Sequence, residues 1–353
     1  LSLGFILEGI TNRISYSMID LFLPFEQISK TLEQILLKYG FTEERAQRCA
    51  FLFAKADLDG VRSHGVNRFL LFLDFIKKGL VNPDKEPAVL SQLGMFERWD
   101  GQKGVGNLNA DFAMNRAIQL SKEFGISCVT LQNTNHWMRG GNFGWQAVEA
   151  GCIGICFTNT IPNMPAWGGS EPKIGNNPLV IAIPRENGPV VLDMAFTQFA
   201  YGKLSIARAK GEQMPYEAGF DLEGNLTKDP GTVIDNHLGL PIGLWKGSGL
   251  SMVLDLLAAV LSGGNASFEV GKSGHESAVS QVFLCFDPAK LELKDWIETK
   301  SDALIEDLKN SSTFDNKSVR YPGENTLETR NRNLKKGVPI SERLWEELQN
   351  ELK

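Results

Sequence analysis

The chain is poor in groups that titrate near neutrality. Its 353 residues include four histidines, His64, His136, His237 and His275, so imidazole chemistry is confined to a few places. Five cysteines, Cys49, Cys128, Cys152, Cys156 and Cys285, form no CxxC pair, which excludes the usual zinc and dithiol sites. Cys152 and Cys156 sit in an apolar run and read as buried thiols, which suits a reducing, cytoplasmic setting. No run of about 20 apolar residues could span a bilayer. A net charge of −6 and the lack of a basic arm argue against nucleic acid or an anionic membrane as partner. The Rossmann fingerprint G-x-G-x-x-G is absent, since "GVGNLN" at 104–109 lacks its third glycine. No P-loop, zinc motif or G-x-S-x-G occurs either, and no metal is expected. A dinucleotide that binds here does so outside the usual fold.

The sequence is 42% hydrophobic, enough for a large core and two or three domains. It begins with Leu1, and Glu8 and Arg13 interrupt its first apolar stretch. Met18 reads as a natural start, and residues 1–17 as a non-native or disordered extension outside the fold.

From Phe25 the pattern is helical. Ile28, Leu32, Ile35 and Leu36 recur at helix spacing and Gly40 ends the run. Thr42 is placed to cap a second helix with Glu43 and Glu44 in its first turn and Ala46, Cys49 and Phe53 inward. After "DG" at 59–60, a third helix carries Phe69, Phe72, Leu73 and Ile76 to about Gly79. In the middle, "ISCVTLQNT", "CIGICFTNT", "PLVIAIPR", "PVVLDMA" and "AVSQVFLCFDP" read as strands. Helical patterns near 108–124, 142–150, 198–209 and 247–262 separate several of them, and the last 65 or so residues are helical again. This predicts an α/β domain with a largely buried sheet, residues 91–289, between helical segments 18–90 and 290–353 that pack together.

Four stretches offer chemistry. In "VRSHGVNRF", 61–69, His64 and Arg68 share a face if the segment is helical. An imidazole can protonate a developing alkoxide while a guanidinium one turn away grips a carboxylate, as a 2-oxo acid requires. Spacing alone favours the plainer reading, in which His64 caps the helix start and Arg68 is solvated. "NTNHWMRGGNFGWQA", 133–147, places His136 and Arg139 before glycines and a helix start that favours an anion, or is simply a tight turn. Asp193, an acid in the apolar strand "PVVLDMA", could orient an imidazole or accept backbone hydrogen bonds in a core. Trp245 and Lys246 precede a long apolar helix that itself reads as core. They could stack on a flat ring and meet a phosphate, or merely open a capped helix.

Taken together, "SHGVNR", "NTNHWMRGGNFGWQA", "PKIGNNPLVIAIP", "VVLDMA", "GFDLEGNLTKDP" and "LWKGSG" resemble the type-2 malate/L-lactate dehydrogenase family, in family order from about Phe25 onward. The resemblance implies a non-Rossmann fold with a mixed sheet and reduction of a 2-oxo acid with NAD(P)H. Trp137, Met138 and Arg139 tilt it toward members acting on sugar acids, and with them toward NADH. It implies His64 as proton donor, Asp193 as an acid near it, and substrate contacts from Ser63, Arg68, His136 and Arg139. It also implies cofactor contacts from Pro189, Val190, Val191, Leu192, Asp193, Met194 and Ala195, from Trp245 and Lys246, and from Gly323, Glu324 and Asn325. "YPGEN" departs from the family's pattern at Asn325. Members are typically homodimers. Malate, lactate, sulfolactate, ureidoglycolate or cyclic-imine reduction are the neighbouring readings, and a non-catalytic nucleotide or sugar-acid binder that keeps the fold is the alternative of another class.

Overall fold

The computed structural model describes residues 20–314 and 318–353. The expectations for Met18 and residues 1–17 lie outside that range.

The N-terminal helices form where the apolar spacing places them. Phe25–Lys38 buries Ile28, Leu32, Ile35 and Leu36 completely, and Glu43–Leu58 buries Ala46, Cys49 and Phe53. Thr42 occupies the N-cap position, yet its side chain makes no capping hydrogen bond. Val66–Lys77 adds Phe69, Phe72 and Leu73, with Phe53 and Phe69 packed edge to face at 5.1 Å. Val338, Ile340 and Leu348 join the same core. The strand Asp20–Leu23 pairs antiparallel with Val338–Ser341, and the helix Glu342–Leu352 packs on Phe25–Lys38. The helix Lys294–Lys309 instead lies against the turn at Arg185 and Glu186, where Arg185 donates to Asp302 at 2.5 Å.

A second core is built on a seven-stranded sheet. Its spatial order is Ala88–Leu93, Phe96–Asp100, Ile126–Asn135, Ser277–Phe286, Ile153–Thr158, Leu179–Ile183 and Val190–Met194. The sheet is mixed: Phe96–Asp100 runs parallel to Ile126–Asn135 and every other neighbouring pair is antiparallel. The helices Gly106–Phe124 and Gly141–Glu149 pack with this sheet around Trp137, Phe143, Trp145 and Phe283. Val190–Met194 ends the sheet, so one row of its backbone groups is not used within it.

The helix Trp245–Ser262 departs from its expected place in the core. Leu254 and Ala258 pack with Phe157 and Val282, but Leu250, Val253, Leu256, Leu257 and Val260 are exposed. A helix apolar on all sides can bury only one face on a sheet, and its other face is left as a surface patch. Among the described residues no helix is long and apolar enough to cross a membrane.

Candidate active site

The loop that carries His64 is not a simple helix start. Arg62–His64 forms a single 3-10 turn, Gly65 breaks it at φ −95° and ψ −132°, and the helix begins at Val66. His64 and Arg68 therefore are not on one continuous helix as the spacing suggested. A buried acid fixes the break: Asp57 Oδ2 accepts the Val66 N–H at 2.6 Å, satisfying a helix N-terminal donor. Burial pushes the Asp57 carboxyl up to about 7, against the Val66 bond and the Arg62 charge.

His64 and Arg68 nonetheless line one pocket of about 1400 Å³, together with His136, Asp193 and Gly323. Ser63 Oγ lies 3.0 Å from His64 Nδ1, and the Ser63 side chain is packed closely over Gly202. When the hydroxyl donates there, the imidazole proton resides on Nε2. Burial lowers the His64 pKa to about 4, and Arg68 and Arg139 add to that effect. The Arg68 guanidinium makes no hydrogen bond or ion pair to the described residues. Burial lowers its pKa and Glu276 partly restores it.

His136 stacks near His64, with ring centroids 5.9 Å apart and an 11° interplanar angle. Its Nδ1 accepts the Met138 N–H at 2.9 Å, which places the proton of the neutral ring on Nε2. Burial, then Arg68 and His64, hold its pKa well below the ordinary imidazole value.

Arg139 is committed elsewhere. Its Nη1 donates to Asp59 Oδ2, and Arg330 donates to both oxygens of the same carboxylate at 2.6 and 2.8 Å. Asp59 is fully buried, and the two guanidiniums hold its pKa low despite that burial. Arg330 also lies 4.2 Å above the Trp145 ring. Asp193 accepts the Gly141 N–H at 2.9 Å and lies 4.0 Å from Arg139 Nε. Burial raises its pKa, with Arg139 and the Gly141 bond opposing. No hydrogen bond joins it to His64 among the described residues.

Of the expected cofactor segments, Val191, Leu192, Asp193, Met194, Ala195 and Gly323 line the pocket. Pro189, Val190, Glu324 and Asn325 flank it without lining it. Glu324 pairs with Lys309 and Asn325 accepts from Arg320. The strand and the Gly323 turn are tied by the Val191 N–H to Pro322 O bond of 2.9 Å, and Gly323 has a φ of 98° that favours glycine. Trp245 and Lys246 are not in the lining; Trp245 is exposed at the start of the apolar helix.

Sequence reasoning passed over Asp57, Asp59 and Glu276. The first two had a signal: two acids close the helix Glu43–Leu58, where the macrodipole disfavours anions, so they need tertiary partners. Glu276, before the strand Ser277–Phe286, carried none.

A family model described as malate/L-lactate dehydrogenase matches residues 23–349. The chain is 42% identical over 328 residues to a 2,3-diketo-L-gulonate reductase of Citrobacter koseri, covering 92% of this chain and 98% of the relative. It superposes on the malate dehydrogenase of Entamoeba histolytica with a TM-score of 0.89 at 27% identity, covering 94% and 97% of the two chains. The sulfolactate dehydrogenase of Methanocaldococcus jannaschii gives 0.83 at 30%, with the same two coverages. The pocket that joins His64 to Arg68 thus sits in a member of the malate/L-lactate dehydrogenase family, an NAD(P)H-dependent oxidoreductase.

Proposed function

We propose that the chain reduces 2,3-diketo-L-gulonate to 3-dehydro-L-gulonate with NADH. The observation that carries this reading is an unpaired, pocket-facing Arg68 beside His64. A partly buried guanidinium with no hydrogen-bonded or ion-paired partner among the described residues calls for an anion, and a carboxylate takes two of its N–H groups in parallel. The 42% identity to a reductase of that substrate supports the finer choice.

The residues present fit a dinucleotide. The pocket exceeds the 300–1,000 Å³ or so of an ordinary small-ligand site, leaving room for substrate and cofactor together. Val191–Met194 belongs to a sheet edge with backbone groups to offer, and Arg320 and Arg343 add positive charge to the lining. A reduced nicotinamide, when bound, supplies hydride to the ketone carbon.

The protein's own groups do the rest. Arg68 fixes the carboxylate and thereby the adjoining carbonyl. His64, aligned through Ser63, delivers a proton to the carbonyl oxygen as negative charge develops there. Burial is the main reason His64 is held neutral, and a carboxylate on Arg68 cancels part of the repulsion that adds to it, which favours proton uptake when substrate binds. Asp193 and Arg139 act from behind: Asp193 holds the Gly141 turn, and Arg139 joins that turn to Asp59.

A second copy of the chain covers the exposed face of Trp245–Ser262 in this reading, a homodimer in which Trp245 and Lys246 enter a cofactor site across the interface. The large apolar face supports it. The test of function is kcat/KM for 2,3-diketo-L-gulonate, oxaloacetate, pyruvate and sulfopyruvate with NADH and NADPH. The diketo acid with NADH should lead; measurable NADH binding with turnover of none of them would sink the reading.

A further inference from the structure

Across from Arg68 the pocket wall carries a carboxyl with no role so far. Glu276 Oε1 is buried, has no hydrogen-bond partner among the described residues, and stands 3.7 Å from His136 Nε2, too far for a bond. Burial raises its pKa, while the Arg68 charge and the Ile161 backbone oppose that rise. Nearby, Thr160 Oγ1 and Asn163 Nδ2 both donate to Asn176 Oδ1, at 3.0 and 2.9 Å. The single Thr160 hydroxyl hydrogen is thereby used, and Asn163 Oδ1 is left without a partner among the described residues. Two acceptor atoms on this part of the wall, Glu276 Oε1 and Asn163 Oδ1, thus stand open. The neighbouring lysines do not reverse its character: Lys173 pairs with Glu171 at 2.8 Å, and Lys272 lies 4.9 Å over the Phe268 ring.

We propose that Glu276 is a specificity-determining residue: it accepts hydrogen bonds from hydroxyls on the tail of a 2-oxo acid and turns away substrates with a second carboxylate. The proposal rests on the reductase reading above, because that reading puts the first carboxylate on Arg68. With one end held there and the ketone at His64, the rest of the substrate extends toward His136 and Glu276. A hydroxylated tail satisfies the orphaned acceptors and the His136 N–H, which has no partner in bonding range among the described residues. A dicarboxylate instead meets a like charge in a site of low polarity, a repulsive device that discriminates as effectively as any added contact. The malate dehydrogenases that share this fold act on such a dicarboxylate, so the discrimination lies in a wall residue and not in the fold.

The test compares kcat/KM for oxaloacetate, pyruvate and 2,3-diketo-L-gulonate in the parent, Glu276→Gln and Glu276→Ala. Pyruvate, with no tail to read, is the internal reference. Glu276→Gln, which removes charge but keeps an acceptor, should raise oxaloacetate against pyruvate by about tenfold. Glu276→Ala should lower the diketo acid against pyruvate by about tenfold. A purely structural role would shift all three substrates together, and that result overturns the proposal while leaving the reductase reading intact. Should the parent turn over none of them, the reductase reading fails, and calorimetric titration with L-gulonate and L-malate decides this proposal separately. Preference for gulonate that Glu276→Gln weakens sustains it; equal binding, or a preference the variant does not change, overturns it.

Discussion

Gly65 and Asp57 compete for one volume. A Cβ built on Gly65 would lie 2.0 Å from Asp57 Oδ2, the oxygen that holds the Val66 N–H. The turn bearing His64 can thus close only over a residue without a side chain. Gly65→Ala should displace His64 and cut kcat about a hundredfold while NADH affinity stays nearly constant. Removing the obstructing carboxylate in Gly65→Ala/Asp57→Ala should restore part of the loss, a coupling that a double-mutant cycle in kcat measures. Strict additivity would show that the two residues do not set this turn.

The same carboxyl makes stability depend on pH. Its folded pKa, about 7, lies above the ordinary 3.8, so the folded state holds a proton that the unfolded chain has released. Its contribution is fully present below about pH 4, falls as pH rises, and is lost beyond about pH 7. Asp57→Asn cannot titrate. Between pH 5 and 8 the parent should lose about 2–3 kcal/mol more than this variant in urea unfolding. Parallel pH profiles would contradict the assignment.

Asp59 serves two guanidiniums, and its removal strands both. Asp59→Asn should cost about 3–5 kcal/mol in unfolding free energy, because Arg139 and Arg330 lose their buried counter-charge. Chemical denaturation of the two proteins measures the difference; a change below about 1 kcal/mol would mean water reaches the cluster.

Arg68 depresses the His64 pKa across the pocket. Arg68→Met should therefore raise the His64 titration midpoint above its value of about 4, while weakening substrate binding far more than cofactor binding. Proton NMR of the imidazole gives the midpoint. An unchanged midpoint would leave burial and Arg139 as the causes.

The exposed apolar helix predicts an association. Leu256→Asp/Val260→Glu should halve the sedimenting mass of a parent dimer and leave the far-ultraviolet spectrum intact. An unchanged mass would assign this face to something other than a second copy.

Much of the architecture was legible because apolar periodicity reports burial. Ile28, Leu32 and Ile35 marked one helix face, and the β-branched runs marked five of the seven sheet strands; Ala88–Leu93 and Phe96–Asp100, and the pair Asp20–Leu23 and Val338–Ser341 inside the segments expected to be helical, were missed. The helix Trp245–Ser262 misled for the same reason: hydrophobicity tells that a face avoids water, not whether its cover comes from the same chain. His64 and Arg68 were identified by type and spacing, yet their shared pocket depends on the break at Gly65 and on Asp57, nine residues before Val66 in the chain. Arg139 was expected as a substrate contact, and nothing in the sequence signalled its bond to Asp59, 80 residues away. Glu276 was silent since one acid ahead of a strand has many ordinary explanations.

The Asp59 cluster also constrains the order in which this protein can be completed. Arg330 stands 271 residues after the acid it neutralises. At ribosomal speeds of ~5–20 residues per second, roughly 15–50 s separate the two. Throughout that interval a nascent chain holds an acid designed for two cations but supplied with at most one, so the His64 end gains its final rigidity late in translation, after the sheet strands have already emerged.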